Sequence, residues 1–414
     1  MADLARTAAF EALRRVEKDG AFSNLATAKL RELSPVDNGF ATALVMGVLE
    51  SKRALDHLIC LYAKKLPEGD LLLLLRLGVY QLFYMDRVPD SAACNETVKL
   101  AKRFCGEKRS GFANAVLRSL CREKEGAWAS LQDAPAEVRY SFGDGVASLL
   151  KEQYPDTYER IMEGFSARQP LFLRVNTLKA APKDVAERFS ATAEGTMVTV
   201  TENQGDAVKG LDAGDYFVQG YGSQMTVRLL DAQPGEFIID ACACPGGKSM
   251  GAALSMENQG RVLSMDLHGN KLPLITKSAK RLGINIIETK EHDGRKADPA
   301  LYETADRVIC DVPCSGLGVM GAKPEIRYKE PAEFEGLYKT QREILASAAT
   351  YVKKNGCLVY STCTLNKKEN EEAVRDFLET HPGFALESEH TWFPYEEGGE
   401  GFYAARLVRI HGKD

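Results

Sequence analysis

Short apolar runs alternate with longer helical stretches from residue 234 onward, and this alternation limits the possible folds more than any other feature. The runs that predict strands are Phe237–Asp240, Val262–Asp266, Ile284–Thr289, Arg307–Asp311 and Cys357–Ser361. Strands separated by crossover helices pair in parallel, in a sheet that is covered on both faces. After a helical stretch at 369–378, the runs 390–395 and 402–410 predict a hairpin at one sheet edge. We therefore predict an α/β, Rossmann-like domain with a mostly parallel, doubly wound sheet over residues 233–414.

The first 232 residues differ from this pattern and divide into two parts. In residues 1–140, apolar residues recur at helical spacing, as they do from Leu4 to Leu13, and strand-like alternation is absent. In residues 141–232, the strand-like runs Leu171–Asn176 and Met197–Val200 flank a helical stretch over Lys183–Phe189. We predict a multidomain chain, with an all-α N-terminal domain and a small α+β linking subdomain before the sheet domain.

The net charge is small and unevenly distributed. The chain carries 53 Lys and Arg against 58 Asp and Glu, a net charge of -5, which disfavours a general polyanion-binding surface. Residues 1–140 hold 21 basic against 18 acidic residues, and the remainder holds 32 against 40. A basic stretch at 99–124 includes Arg103, Lys108, Arg109 and Arg118. On charge alone, this stretch fits either a phosphate-binding surface or a solvated helix face.

Cysteine usage predicts a cytoplasmic protein without a metal. There are 10 cysteines, and Met1-Ala2-Asp3-Leu4 does not begin a secretory signal. Cys242-Ala243-Cys244 and the Cys310, Cys314 pair lack the spacing of a zinc site. The apolar run Leu71–Leu75 is too short to span a bilayer.

A glycine-rich loop follows the first strand of the sheet domain. It runs Asp240-Ala241-Cys242-Ala243-Cys244-Pro245-Gly246-Gly247-Lys248-Ser249. Glycines let a ligand approach the backbone closely, and a helix N-terminus favours a negative group. A phosphate-binding loop requires glycine at position 242, which is Cys, and the dinucleotide pattern of spaced glycines is missing. The alternatives are a ligand loop of another kind and an ordinary tight turn.

Acidic residues follow successive strands. Asp266, Asp293 and Asp311 come at or just after the second, third and fourth strands of the domain. Such an acid can bind the ribose hydroxyls of a nucleoside, although Asp266 before Leu267-His268 also suits a helix cap. Together with the glycine loop, these acids favour S-adenosylmethionine, whose carboxylate binds backbone N–H groups and whose ribose binds an acid.

Two cysteines follow the fourth and fifth strands of the domain. Cys314 lies in Asp311-Val312-Pro313-Cys314-Ser315-Gly316, and Cys363 lies in Ser361-Thr362-Cys363-Thr364. The commonest role of a cysteine is that of a small buried apolar residue. At one sheet edge, however, the pair suits methylation at C5 of cytosine, because a thiolate added to C6 makes C5 nucleophilic and a base must then remove the C5 proton.

These segments resemble the RNA 5-methylcytosine methyltransferases of the Nop2/Sun family. Further matching stretches are 174–178, Glu369-Asn370-Glu371 and Gly401-Phe402-Tyr403, so the similarity covers nearly the whole chain. Residues 112–118 and 88–101 are similar to a NusB-type helical domain, a fusion typical of the bacterial 16S rRNA enzymes. A NusB-like domain can bind RNA or protein.

The resemblance implies a role for each matching residue. Cys363 is the implied nucleophile, Cys314 assists release of the adduct, Asp311 contacts the cytosine, and Lys248 reaches the pyrimidine. The implied S-adenosylmethionine site consists of Cys242, Ala243, Cys244, Pro245, Gly246, Gly247, Lys248, Asp266, Asp293 and Asp311. The implied RNA contacts are Arg103, Lys108, Arg109, Arg118, Arg174 and Lys323.

Two positions depart from the family pattern, and three other functions remain open. Cys244 replaces a small Ala or Ser, and Met320–Glu325 replaces a segment with an Arg pair, leaving Lys323 as the retained cation. The alternatives are the same chemistry on tRNA, a non-catalytic RNA-binding or antitermination factor, and a nucleotide hydrolase, which the missing loop glycine disfavours. We expect a monomer that acts on 16S rRNA.

Overall fold

The computed structural model describes residues 3–19 and 23–410 and divides into two compact units. The first unit contains the chain up to Ser166 together with 320–330, and the second contains 167–319 and the chain from Pro331 onward. These compact units divide at Ser166, whereas the sequence prediction places its first domain boundary at residue 140. The segment 320–330, which we assigned to the sheet domain, belongs to the helical unit instead.

The first unit is helical, as predicted. Its helices are α1 (Leu4–Asp19), α2 (Ser23–Ala28), α3 (Pro35–Glu50), α4 (Lys52–Cys60), α5 (Asp70–Tyr84), α6 (Asp90–Cys105), α7 (Glu107–Arg122), α8 (Lys124–Gln132), α9 (Ala136–Arg139), α10 (Asp144–Gln153) and α11 (Tyr158–Ser166). Helix α5 packs against α1, α3, α4, α6 and α7, and its apolar run Leu73–Leu75 is buried. A helix that is apolar around most of its circumference belongs in a core, which explains its central position.

The last two helices and the segment 320–330 complete this unit. Phe142 and Phe165 are buried, and their ring centroids lie 6.4 Å apart, so the segment before α10 packs against α11. Arg327 is 1% exposed, and its guanidinium donates to the backbone carbonyls of Glu50, Tyr140 and Phe165. A buried guanidinium is stable only when its donors are paired, so these bonds hold the segment against the helices.

The second unit begins with a small α+β subdomain, as predicted. Strands β1 (Leu171–Val175), β2 (Thr192–Glu194), β3 (Met197–Val200) and β4 (Tyr216–Val218) form an antiparallel sheet in the order β2-β3-β1-β4. Helices α12 (Pro182–Arg188) and α13 (Gln204–Lys209) accompany it. Alternate residues of β1, Leu173 and Val175, are buried in its core, in accord with the two-residue period of a strand.

A seven-stranded sheet forms the rest of the described part of this unit. Its elements are α14 (Tyr221–Leu230), β5 (Phe237–Asp240), α15 (Gly247–Ser255), β6 (Arg261–Asp266), α16 (Leu272–Leu282), β7 (Ile287–Glu291), β8 (Ala305–Asp311), α17 (Glu335–Ala349), β9 (Val352–Thr362), α18 (Glu371–Thr380), β10 (Phe384–Trp392) and β11 (Phe402–Arg409). The strand order is β10-β11-β9-β8-β5-β6-β7. Strands β5 to β9 are parallel, and β10 and β11 form the predicted antiparallel edge hairpin.

The order of the strands determines where a ligand can bind. The chain runs from β5 outward through β6 to β7, then returns to β8 on the other side of β5. Ligands of open α/β sheets bind outside the carboxyl ends of the strands at such a reversal. Asp240, Asp311 and Thr362 end β5, β8 and β9 there.

The described residues provide neither a membrane span nor a metal centre. Within them, no helix has the length and apolar character needed to cross a bilayer. Within the same residues, His, Cys, Asp and Glu side chains form no group of three or more that is suited to hold a metal ion.

Candidate active site

The two predicted cysteines meet where β8 and β9 end. Asp311 at the end of β8 pairs with Ser361 of β9, so the loops that follow the two strands begin side by side. The Sγ atoms of Cys314 and Cys363 lie 3.2 Å apart, and both cysteines are free thiols with partly exposed side chains. The prediction that both thiols reach one edge of the sheet is confirmed.

The two sulfurs compete for a negative charge. The pKa of Cys314 lies well above its usual range, first because its thiol is hydrogen-bonded to Cys363 and second because it is buried. Cys314 therefore retains its proton. Either sulfur can be the donor in the hydrogen bond between them, and of two thiols this close only one ionises easily.

An ion pair lies beside the thiols. Lys248 Nζ is 2.7 Å from Asp311 Oδ2 and 3.1 Å from Ser223 Oγ, and Ser361 Oγ donates to Asp311 Oδ1 at 2.7 Å. Burial alone lowers the pKa of Lys248, but the attraction of Asp311 outweighs it and the net shift of this pKa is upward. The ammonium is therefore a permanent charge, and Phe402 covers it with its ring centroid 5.3 Å from Nζ.

A cavity of about 470 Å³ adjoins this cluster. It is lined by Ala241, Cys242, Cys244, Asp266, Leu267, His268, Lys271, Asp293, Gly294, Arg295, Asp311, Val312, Pro313, Thr340 and Ile344. All three acids predicted at successive strand ends line this one cavity. Burial, the largest cause, raises the pKa values of both Cys242 and Cys244, the latter to about 11, so these thiols stay neutral.

Two of the acids also bind neighbouring protein groups. Asp266 accepts hydrogen bonds from the backbone N–H groups of Cys244 at 3.1 Å and His268 at 2.9 Å, so the turn-forming alternative describes part of its role. Asp293 is paired through both oxygens with the Arg295 guanidinium, and these hydrogen bonds lower its pKa to about 2. Both acids are thus held in fixed positions on the cavity wall.

A second cavity, of about 180 Å³, contains two unpaired acceptors. Asp240 Oδ1 and Gln219 Oε1 are buried and have no hydrogen-bond partner among the described residues. The loop residues Ala243, Pro245, Gly247 and Lys248 line this cavity, whereas Gly246, with φ +105°, precedes α15 as its N-cap. Unpaired buried acceptors are costly and suit a cationic ligand, so the residues present fit the ammonium and sulfonium groups of S-adenosylmethionine.

Several residues of this site were not predicted to belong to it. Gln219 and Ser223 come from the segment around β4 and α14, which we assigned to the linking subdomain. Ser361 belongs to the motif Ser361-Thr362-Cys363-Thr364, but the sequence predicted no role for it. No local pattern around Gln219 or Ser223 points to a ligand, because only the packing of α14 against α15 brings them to the loop.

The predicted RNA contacts fall into two groups. Arg103, Lys108, Arg109 and Arg118 are exposed on or beside α6 and α7, and Lys323 is exposed in the segment 320–330. Their role stays a prediction.

For Arg174 the RNA-binding prediction is wrong. Its side chain is buried, and its guanidinium donates to Gly251 O at 3.2 Å and Ser255 Oγ at 3.1 Å. The guanidinium therefore anchors β1 to the last turn of α15, the helix that begins at the glycine loop, and its charge lies near the C-terminus of that helix.

Three family profiles match the chain. The profile described as 16S rRNA methyltransferase RsmB/F matches residues 227–408 and includes both cysteines. The NusB family profile matches 3–122, and a profile for the ferredoxin-like domain of RsmF/B-like methyltransferases matches 146–210. The three profiles follow the order helical domain, α+β subdomain and sheet domain predicted from the sequence.

Solved structures share the fold. The crystal structure of PH0851 aligns with a TM-score of 0.76 at 24% identity, covering 97% of this chain and 98% of that one. The structure of NSun6 from Pyrococcus horikoshii with SFG aligns with a TM-score of 0.58 at 20% identity, covering 66% of this chain and 99% of that one. These similarities support the architecture described above.

Relatives that span the chain are similar in sequence. The probable ribosomal RNA small subunit methyltransferase B of Bacillus subtilis (strain 168) is 37% identical over 406 residues, covering 92% of this chain and 89% of that protein. The ribosomal RNA small subunit methyltransferase B of Vibrio cholerae is 31% identical over 431 residues, covering 98% of each. The chain therefore belongs to the 16S rRNA methyltransferase RsmB/F family, whose methyl donor is S-adenosylmethionine.

Proposed function

We propose that this protein transfers a methyl group from S-adenosylmethionine to C5 of a cytosine in 16S rRNA through a covalent adduct between Cys363 and C6. The observation that carries the proposal is the 3.2 Å separation of the Cys314 and Cys363 sulfurs beside the Lys248–Asp311 ion pair. Methylation of C5 requires a nucleophile for C6 and a base for the C5 proton, and two adjacent thiols supply both.

The first step forms a bond between Cys363 and the base. The Cys363 thiolate attacks C6, and the electrons of the C5–C6 double bond move through C5 toward the ring carbonyl. S-adenosylmethionine, when bound, would supply the methyl group: C5 would take it up through that electron pair, the S–CH3 bond would break, and S-adenosylhomocysteine would be left. Lys248 stabilises the developing negative charge, because its ammonium is permanent and pyrimidine oxygens are hydrogen-bond acceptors. Asp311 holds Lys248 in place and faces the base.

The second step removes the C5 proton and releases the product. Once Cys363 is bonded to carbon it no longer carries charge, so the largest cause of the high pKa of Cys314 disappears. Cys314 can then release its own proton to solvent, and the resulting thiolate accepts the C5 proton. The C5–H electrons re-form the C5–C6 double bond, and the C6–S bond breaks to return Cys363 as a thiolate. The same pair thus serves as nucleophile first and base second.

The substrate proposal follows from the relatives and from the position of the thiols. The sulfurs are only partly exposed, so the cytosine must leave its stack or lie in a single-stranded region to reach C6. The relatives act, by name, on small-subunit ribosomal RNA, and we extend that substrate to this protein. Arg103, Lys108, Arg109, Arg118 and Lys323 are proposed phosphate contacts, and the cytoplasm is the proposed location.

Replacing Cys363 with Ala should abolish transfer and leave donor binding unchanged. The side chain lies outside the group of residues that line the donor cavities, so only the attack on C6 is lost. The measurement is 5-methylcytidine in 16S rRNA by nucleoside mass spectrometry, with S-adenosylhomocysteine binding by calorimetry and Cys60→Ala, an exposed cysteine, as control. Full methylation by Cys363→Ala would refute the assigned nucleophile.

Replacing Cys314 with Ala should cause a covalent protein–RNA complex to accumulate. Addition to C6 needs only Cys363, whereas elimination needs the base that this variant lacks. The complex is measured as a shifted band on a denaturing gel after incubation with substrate RNA and S-adenosylmethionine. The double variant Cys314→Ala, Cys363→Ala is the control and should show no such band. Turnover by Cys314→Ala at the wild-type rate, with no complex, would rule out the release role.

Donor affinity should depend on pH through Asp240. Burial raises the pKa of Asp240 to about 7, so the carboxyl is mostly protonated at pH 6 and ionised at pH 8. The ionised form attracts the cationic donor, so its contribution to affinity is present above this pKa and lost as the pH falls. At pH 8, Asp240→Asn should weaken binding about tenfold, the loss expected for a charge-assisted hydrogen bond. At pH 6 the two proteins should differ little; an equal difference at both pH values would contradict this role.

A further inference from the structure

A buried carboxylate lies beneath the two catalytic loops and has no part in the chemistry described so far. Glu369 is 0% exposed, and among the described residues no Lys or Arg forms an ion pair with it. A buried charge without a counterion is costly unless hydrogen bonds satisfy it. Glu369 lies between the loops that carry Cys314 and Cys363, and it forms hydrogen bonds with both of them.

Each oxygen of Glu369 accepts two hydrogen bonds. Oε2 accepts from the backbone N–H of Ser315 at 2.9 Å and from Gln341 Nε2 at 2.8 Å. Oε1 accepts from Ser315 Oγ at 2.5 Å and from Asn366 Nδ2 at 3.0 Å. Three of these four donors are N–H groups, which can only donate, so both oxygens of Glu369 act as acceptors.

This network joins the residues that directly follow the two cysteines. Ser315 follows Cys314, Thr364 follows Cys363, and their hydroxyl oxygens are 2.7 Å apart. Gln341 also donates to the carbonyl of Pro313 at 2.9 Å, so the chain is held on both sides of Cys314. A further hydrogen bond joins the two loops: the backbone N–H of Gly318, on the Cys314 loop, donates to the carbonyl of Cys363 at 2.9 Å.

We propose that Glu369 is a positioning residue that holds the Cys314 and Cys363 loops together and thereby sets the separation of their two sulfurs. This inference rests on the proposed function for its catalytic meaning, but the positioning itself is a property of the folded chain. Parallel strands fix the loops only as far as Asp311 and Thr362, and each loop then continues without strand hydrogen bonds of its own. Glu369 is one acceptor shared by both loops, since it binds Ser315 after Cys314 and Asn366 after Cys363. It thereby holds the two loops at a fixed spacing.

The charge of Glu369 adds an electrostatic contribution. The carboxylate is among the causes that raise the pKa of Cys314, after the hydrogen bond to Cys363 and burial. It therefore favours the thiol form of Cys314. One residue thus supports both the spacing of the sulfurs and the choice of nucleophile.

The test uses Glu369→Gln in the full chain, with Glu379→Gln as a matched control on the exposed side of α18. Glutamine keeps the size of the side chain, but its NH2 group cannot accept hydrogen bonds from the donors that now bind one oxygen of Glu369. We expect kcat to fall roughly 100-fold, as for a displacement of about 1 Å at reacting groups, with KM for S-adenosylmethionine and S-adenosylhomocysteine binding unchanged. Glu379→Gln should match the wild type in every measurement.

A second measurement reports thiol spacing without catalysis. Phenylarsine oxide bonds two thiol sulfurs at once and loses its oxygen as water, so its affinity depends on their separation. Each protein is compared with the same protein carrying Cys314→Ser, which removes the contribution of other cysteines. We expect Glu369→Gln to weaken the Cys314-dependent binding about tenfold. Unchanged arsenical binding, or unchanged kcat, in a variant that still binds S-adenosylhomocysteine would overturn the proposal.

A smaller substitution covers the case in which Glu369→Gln does not fold. Ser315→Ala removes only the hydroxyl shared by Glu369 and Thr364, and we expect it to lower kcat about tenfold with the same loss of arsenical affinity. Full activity and arsenical binding in Ser315→Ala would then reject the role of the network. If the wild type methylates no cytosine while the arsenical still separates Glu369→Gln from the wild type, the proposed function fails and the positioning role stands.

Discussion

The parallel pairing of β8 with β9 is the constraint on which the rest of the site depends. The register that places Asp311 opposite Ser361 determines that the next residues of both chains leave the sheet side by side, and so brings two thiols within 3.2 Å. A shift by one residue turns side chains to the opposite face of a strand. Such a shift would also remove the hydrogen bond from Ser361 to Asp311, and with it the orientation of the carboxylate that holds Lys248.

The site holds four ionisable groups in three separate arrangements. The Lys248 ammonium is paired with Asp311, the Glu369 carboxylate is satisfied by neutral donors, and Asp240 is left with an unpaired oxygen in a cavity wall. Each arrangement costs desolvation energy that an apolar cluster would not. The costs are understandable if the site receives a cationic donor on one side and stabilises a transient anion on the other. A protein that keeps buried polar groups for a ligand is commonly less stable than the same fold with apolar residues at those positions.

Much of the architecture was predictable because its determinants are local. The apolar runs that become β5, β6, β8 and β9 are bounded by turn residues, and a cysteine or acid directly after a buried strand marks the carboxyl end of that strand. The cysteines and the acids were found for this reason. The strand β10 was placed too late, since its first residues alternate weakly and are largely exposed at the sheet edge. Periodicity shows that α10 and α11 are helices, but it does not show that they belong to the compact unit that ends at Ser166.

The parts that could not be predicted are those set by contacts distant in sequence. Arg174 belongs to a matching motif and carries a charge, so an RNA contact was a reasonable hypothesis, yet its guanidinium binds Gly251 and Ser255, far along the chain. Gln219 reaches the glycine loop only through helix packing. Glu369 lay within a recognised motif, but its function as an acceptor for Ser315 and Gln341 depends on the Cys314 loop and helix α17 meeting it in space.

The proposed mechanism requires that the sulfur of Cys363, and not that of Cys314, bonds to the base. The most direct measurement is peptide mapping by mass spectrometry of the wild-type protein after reaction with S-adenosylmethionine and substrate RNA containing 5-fluorocytidine. Fluorine at C5 cannot leave as a cation, so elimination is blocked and the adduct remains. The account predicts one modified peptide, with the nucleotide attached to Cys363. Attachment at Cys314, or recovery of only unmodified cysteines alongside methylated control RNA, would contradict it.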